Sequence, residues 1–225
     1  MNQGKYVFSQ LVNFLPQRVF DRITAEYSGN KSVKHFTCWN QLLCMIFGQL
    51  SAKKSLRDLI TIIEAHKTKS YHLGLGKKAT RSNLSKANEN RNFKIFEEFA
   101  EHLTMIAQDK NSNDTFGIKG NVYAFDSSTI DLCLSVFCWT HFRKTKAGIK
   151  LHTLFDVNTQ IPVFIHITWA NIHDVNAMDI IDYEPFAYYI FDRAYVDYER
   201  LYRIKKARAY FVVRAKSNIR FKRMY

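Results

Sequence analysis

Two carboxylates, Asp126 and Asp192, each close a short aromatic and β-branched run. The runs are Val122-Tyr123-Ala124-Phe125-Asp126-Ser127-Ser128 and Tyr188-Tyr189-Ile190-Phe191-Asp192-Arg193-Ala194-Tyr195. Runs of this kind predict strands, and a strand end is a rigid place from which to hold a ligand. Two carboxylates on neighbouring strand ends can share a hard divalent cation, because Mg2+ and Mn2+ prefer carboxylate oxygens. A pair of such ions about 3.5–4 Å apart can activate an attacking hydroxyl and stabilise a leaving oxygen, which is the chemistry of phosphodiester cleavage and transfer. Each aspartate also has an ordinary alternative: Asp126 as a turn or N-cap residue, Asp192 as the N-cap of the following helix. The pairing of both in a basic chain favours the metal-site reading.

The remaining acids compete less well. Asp131 lies past the first strand, Asp156 in a hairpin turn and Asp174 at the start of a helix, and Glu199 reads as a surface or salt-bridge residue. Basic residues gather around the two aspartates in the sequence. Arg143, Lys144 and Lys146 precede the second strand, Lys150 and His152 lie on it, and Arg193 and Tyr195 follow Asp192. Arg214 and Lys216 crowd the end of the last strand. Cations among aromatics suit phosphate contact with stacking, so these nine residues are candidate DNA contacts.

The elements that must position these groups fall into two parts. Residues 1–110 read as a helical, DNA-binding domain. Helices are expected over Tyr6 to Tyr27 (broken near Pro16), Trp39 to Leu50, a segment after the N-cap Ser55 with Leu56, Leu59, Ile60 and Ile63 on one face, and about Asn92 to Gln108. Lys67 to Arg91 reads as a connection rich in Lys, Ser, Gly and Asn. The polar stretch Lys110 to Gly120 marks a boundary. Residues 120–225 then read strand, strand, strand, helix, strand, helix, strand. The strands are Val122 to Asp126, Ile149 to Phe155, Val163 to Trp169, Tyr188 to Asp192 and Tyr210 to Arg214. The helices are Asp174 to Ile181 and Tyr198 to Lys206. A hairpin meander followed by crossovers predicts an α+β chain whose second domain is a ribonuclease-H-like mixed sheet covered by helices.

Composition sets the outer bounds. With 225 residues and 47% hydrophobic content, the chain can bury a sizeable core. Its formal net charge of +13 favours a polyanionic partner. No apolar run reaches the ~20 residues needed to span a bilayer, and the N-terminus does not resemble a signal peptide, which predicts a cytoplasmic, nucleoid-associated protein. Cys38, Cys44, Cys133 and Cys138 lack zinc-knuckle spacing and read as reduced, buried residues.

The segments YAFDSSTIDLCLSVF, FRKTKAGIKLHTLFDV, IPVFIHITWANIHDVNAMDII, IFDRAYVDYERLY and FVVRAKSN resemble the DDE transposases of bacterial insertion sequences, specifically the insertion-sequence-four family. LGLGKKATRSNLSKANENR resembles the helical domain that precedes the catalytic core in one branch of that family. The resemblance implies Asp126 and Asp192 as the first two catalytic, metal-binding acids, Mg2+ or Mn2+ as cofactor, and a ribonuclease-H-like fold. It implies double-stranded DNA as substrate, both transposon terminal inverted repeats and target, with nicking followed by attack of a 3′ hydroxyl. The family's third acid is a glutamate in a Tyr-x-x-Arg-x-x-x-Glu-x-x-x-x-x-x-Lys block. No segment after Tyr210 fits that block, and the last Glu is Glu199. The sequence is therefore expected to be C-terminally truncated, with one sheet face uncovered and with cleavage and strand transfer impaired. The competing expectation is a catalytically inactive DNA-binding or inhibitory remnant that docks on transposon ends or on full-length transposase, or as a homo-oligomer. A third is another ribonuclease-H-like nuclease whose last acid comes from a partner.

Overall fold

The computed structural model describes residues 6–53, 55–66, 73–75, 79–110, 120–132, 141–143 and 146–217; of 109–110, 131–132, 141–143 and 146–147 only the backbone is described. The chain divides into two compact units, Met1–Met105 and Ile106–Tyr225.

The first unit is helical. Its elements are α1 (Val7–Val12), α2 (Gln17–Glu26), α3 (Cys38–Leu50), α4 (Leu56–Ala65), α5 (Arg81–Asn90) and most of α6 (Lys94–Lys110). Pro16 separates α1 from α2, where its fixed φ suits the position just ahead of a helix. The Thr37 hydroxyl accepts from Asn40 N and the Asn40 amide oxygen accepts from Thr37 N, a reciprocal cap on α3. Ser55 and Thr80 cap α4 and α5 in the same way, each accepting from the backbone N–H three residues on. Leu43, Cys44, Leu59, Ile63, Leu75 and Leu84 fill one core cluster. Phe20, Cys38, Ile95 and Phe99 fill another. Cys38 and Cys44 are free and buried, as read from the sequence; Cys133 and Cys138 lie outside the described residues. Helix α5 corrects the expectation of a plain connection over Lys67 to Arg91. Its Asn- and Ser-rich sequence has low helix propensity, but the Thr80 cap and burial of Leu84 and Ala87 outweigh that.

The second unit carries a six-stranded sheet: β1 (Val122–Leu132), β2 (His141–Arg143), β3 (Lys146–Asp156), β4 (Ile161–Trp169), β5 (Tyr188–Phe191) and β6 (Tyr210–Val213). Strand β3 pairs antiparallel with β1, β2 and β4, while β5 runs parallel to both β1 and β6. Setting aside the short β2, the order β4-β3-β1-β5-β6 is a three-stranded meander extended by two parallel strands, which is the ribonuclease-H-like arrangement. One sequence expectation needs correction. Strand β1 does not stop at Asp126 but runs six residues further, because β3 continues to pair with it as far as Leu132↔Ala147. The short helix expected from Asp174 is a 3-10 helix, Asp174–Ile180. A second 3-10 turn, Arg193–Tyr195, and helix α7 (Tyr198–Lys206) follow β5.

One sheet face is packed. Tyr123, Phe125, Leu154, Tyr189 and Phe191 lie under Ala177, Met178, Tyr195, Leu201 and Ile204 from the crossover segments. On the other face Val163, Ile165, Ile167 and Trp169 of β4 are exposed, as are Ile130 and Ile190. Among the described residues this face has no helical cover. Entry to β1 is tightly fixed. Gly120 has φ +118, and a Cβ there would stand 2.5 Å from the Phe186 carbonyl oxygen, so only glycine fits. Among the described residues, no helix is long and apolar enough to cross a membrane.

Helix α7 is tied down by an ionic lattice. Arg200 reaches Asp179 (2.6 Å) and Asp197 (3.0 Å), and Arg203 reaches Asp179 (2.9 Å) and Glu199 (2.6 Å). Glu199 is thus a surface ion-pair residue. Hydrogen bonding from Arg200 holds the Asp179 carboxyl below its ordinary range. A depressed folded-state value gives stability that is present above the unfolded value and lost as pH falls. Asp179→Asn should cost no more than about 1 kcal/mol at neutral pH, since the group is partly screened by solvent. The gap in melting temperature between variant and parent should close as pH drops below about 4; a gap that persists in acid would show the lattice is not what Asp179 contributes.

Candidate active site

The parallel ladder decides where the two aspartates stand. β1 and β5 pair in register from Val122↔Tyr188 to Phe125↔Phe191, and β5 and β6 from Tyr188↔Tyr210 to Phe191↔Val213. The next residue on each strand is therefore Asp126, Asp192 and Arg214. These three follow the shared ladder side by side on strands about 4.8 Å apart, at the carboxyl edge where open α/β sheets hold ligands. Arg214 N also donates to Phe191 O, which fixes the β6 end against β5. Asp126, Asp192, Arg193, Arg214 and Lys216 are all exposed.

The ordinary roles weighed for the two aspartates are not realised. Asp192 precedes the 3-10 turn as its N-cap, but its side chain makes no capping hydrogen bond. Asp126 sits within β1, opposite Thr153, and caps nothing. By contrast Asp156 does what its turn position suggests, accepting from Asn158 N (2.8 Å) and Thr159 N (3.3 Å).

Beneath the edge, on the packed face, lies a polar cluster that the sequence did not reveal. The Asp174 carboxylate accepts from Ser127 Oγ (2.8 Å) and pairs with Lys150 Nζ (3.1 Å), which also donates to Ile172 O (2.6 Å). His152 is fully buried, shares a hydrogen bond with Thr168 Oγ1 (2.8 Å) and stacks on Phe125 at 6.2 Å. Burial pushes its imidazole below the ordinary value; Asp174 opposes this, and His166 and Lys150 add to it. Tyr195 is also buried, and its hydroxyl faces Ser127 without closing a hydrogen bond of ordinary geometry. Burial pushes the phenol up to about 12, and the charges of Asp174, Asp126 and Asp192 act in the same direction. This phenol stays protonated at neutral pH and lies within the field of three acids.

The structure thus divides the candidate DNA contacts. Arg193, Arg214 and Lys216 are presented to solvent near the aspartates. Lys150, His152 and Tyr195 are interior residues: at 9%, 0% and 1% exposure they have no surface to offer a duplex. Strand alternation does not say which face of β3 is covered, and Tyr195 lies in the 3-10 turn that packs on that covered face. Arg143 and Lys146 pair in backbone register between β2 and β3, and Lys144 lies outside the described residues. Asp174 and Ser127 were passed over. The signal for them was the pairing of Ser127 with His152 on the same face, which only register reveals. Among the described residues no group of three His, Cys, Asp or Glu side chains is placed to hold a metal ion.

Residues 118–224 match the family Transposase DDE domain, and residues 3–76 match a Domain of unknown function (DUF4372). A protein of Sinorhizobium fredii (strain NBRC 101917 / NGR234), "Putative transposase y4zB", is 31% identical over 140 residues, covering 62% of this chain and 38% of that protein. The chain thus spans well under half the length of the relative it matches. A solved structure, "Cryo-EM structure of piggyBac transposase synaptic complex with hairpin DNA (SNHP)", superposes with a TM-score of 0.44 at 11% identity, over 98% of this chain and 53% of that one. Over just under half of its length, residues 118–224, the chain is thus similar to the Transposase DDE domain family. Domains of this family generally use divalent metal ions.

The Lys150–Asp174–Ser127 cluster is testable by stability. Asp174→Ala would leave a nearly buried ammonium with only a carbonyl partner, at a cost of about 2–4 kcal/mol in urea unfolding. Combining it with Lys150→Met should recover part of that loss. If the double variant is as unstable as the sum of the two single changes, the pair is not coupled.

Proposed function

We propose that the chain acts on double-stranded DNA as a DDE transposase, its second unit performing metal-dependent phosphodiester cleavage and strand transfer at transposon ends. The observation that carries this reading is the exposed pair Asp126 and Asp192, each the first residue beyond the parallel ladder of β1 and β5, flanked by Arg214. Two hard carboxylates fit Mg2+ or Mn2+, and Asp126 and Asp192 would hold it. When bound, the metal would supply a Lewis acid that favours deprotonation of the attacking water or hydroxyl and stabilises charge on the leaving oxygen. The chain's own residues do the rest. Arg193, Arg214 and Lys216 draw and orient the phosphodiester backbone. The protonated Tyr195 and the Asp174-bound Ser127 keep the strand ends rigid from below, so the carboxylates need not reorganise.

A second reading, a DNA-binding chain without cleavage, is favoured by the two-carboxylate donor set and is separated by one experiment. Supercoiled plasmid carrying the terminal inverted repeats is incubated with the protein, with and without Mg2+ or Mn2+. Nicking should require metal, and Asp126→Asn and Asp192→Asn should each lower it by at least ~10²-fold while leaving DNA affinity unchanged. Binding without any metal-dependent nicking would install the second reading. Nicking that survives both substitutions would remove these aspartates from the site.

A further inference from the structure

The first unit contains a groove of about 770 Å3 between the Tyr27–Phe36 loop and one face of α5. The α5 face is made of Asn83, Lys86, Ala87 and Asn90, at helical i, i+3, i+4 and i+7 spacing, and the loop contributes Lys31, Lys34 and His35. Among the described residues no carboxylate lines the groove. Lys31, Lys34, His35 and Lys86 are exposed, and among the described residues none pairs with an acid.

The floor adds a positive charge that is not neutralised. The half-buried Arg91 guanidinium donates to Thr37 O and Gln41 Oε1 (2.9 Å each) and to Phe36 O, and lies 5.6 Å over the Phe36 ring. All of these partners are uncharged. An arginine held by neutral acceptors keeps its full charge, and partial burial lessens its screening by water.

The loop is built to hold a shape. Ser28 and Ser32 take left-handed φ values of 50° and 61°, which non-glycine residues adopt only when their surroundings enforce it. The Asn30 side chain accepts from Cys38 N (2.8 Å), Lys31 N donates to Ser28 O and Val33 N to Asn30 O. Gly29 lies so close to the core that a Cβ would stand 2.5 Å from Ile95 Cδ1. Lys31 and Lys34 are thereby presented from a fixed frame opposite Lys86.

We infer that this groove is a binding site for the phosphodiester backbone of duplex DNA, with Lys31, Lys34 and Lys86 contacting phosphates above the fixed charge of Arg91. Acid-free lysines with neutral amides and hydroxyls suit phosphate oxygens and sugar edges. The aromatics at the groove are engaged elsewhere: Phe36 is buried beneath Arg91 and the Tyr27 hydroxyl bonds Glu98. His35 is the one exposed ring the described lining offers, short of the run of aromatics on which single strands and looped RNA stack successive bases. The inference rests on the proposed action on DNA and assigns the first unit a share in it.

The test is fluorescence anisotropy of a labelled mixed-sequence DNA duplex titrated with the full chain across a salt series. Each phosphate contact contributes about 0.9 to the slope of log affinity against log salt. The triple variant Lys31→Gln, Lys34→Gln, Lys86→Gln should lower that slope by about 2–3 and weaken binding on the order of 10²-fold near 0.1 M salt, with an unchanged melting temperature. Equal slope and affinity in variant and parent would overturn the site. If only Arg214→Gln with Lys216→Gln weakens binding, DNA binding stands and the groove falls. A parent chain that binds no duplex would overturn both. Tighter, lysine-dependent binding of an RNA hairpin would overturn the choice of DNA.

Discussion

The parallel pairing of β1 with β5 is the constraint on which the second unit depends. The four residues from Val122 to Phe125 meet the four from Tyr188 to Phe191 in register, and Tyr188 N donates to Asn121 O at the entry. Because the side-chain period of a strand is two, a slip of one residue would turn Phe125 and Phe191 out of the core and separate Asp126 from Asp192. The same register therefore packs the hydrophobic face and lines up the carboxylates. The fold is paid for by Phe125, Phe191 and Tyr195, which meet at ring separations of 5.3–6.0 Å, and the site is held in place by the same contacts.

This coupling explains the polar cluster under the edge. A lysine and a histidine on a covered sheet face would each be costly to bury alone. Lys150 is accommodated by Asp174 and the Ile172 carbonyl, whereas His152 bonds Thr168 through Nε2, leaves Nδ1 buried without a partner among the described residues, and has its imidazole pushed below the ordinary value by burial. Asp174 begins the 3-10 segment that crosses over the sheet, so one ion pair also fixes where the crossover lands. The interior electrostatics and the chain path are two consequences of one contact.

The two units concentrate positive charge in different ways. In the first, cations stand on a stapled loop and a capped helix above an arginine bound only by neutral groups. In the second, the exposed cations stand at strand ends beside acids, where metal binding would change the local charge balance. The +13 formal charge is thus not spread as a uniform coat. Among the described residues it includes one groove without acids and one edge where two aspartates are followed by an arginine on the next strand.

Much of this was legible in the sequence. Short aromatic and β-branched runs ending on Asp126 and Asp192, the Pro16 break, the Ser55 cap and the helical stripe of Leu56, Leu59, Ile60 and Ile63 carry local signals that survive folding. Helix α5 was not legible, because its stability comes from burying Leu84 and Ala87 and not from its residues' own propensity. The full length of β1 was not legible either, since Asp126 to Leu132 are a strand only because β3 lies alongside. Nor could the sequence separate Arg214, which faces solvent, from Lys150, His152 and Tyr195, which do not. Alternation fixes which residues share a face, but only tertiary packing decides which face is covered. The sequence by itself determined the chemistry available, two acids and many cations on β-forming runs. The register of β1 with β5 decided which of those groups meet, because adjacency between distant strands is set by long-range pairing and not by local preference.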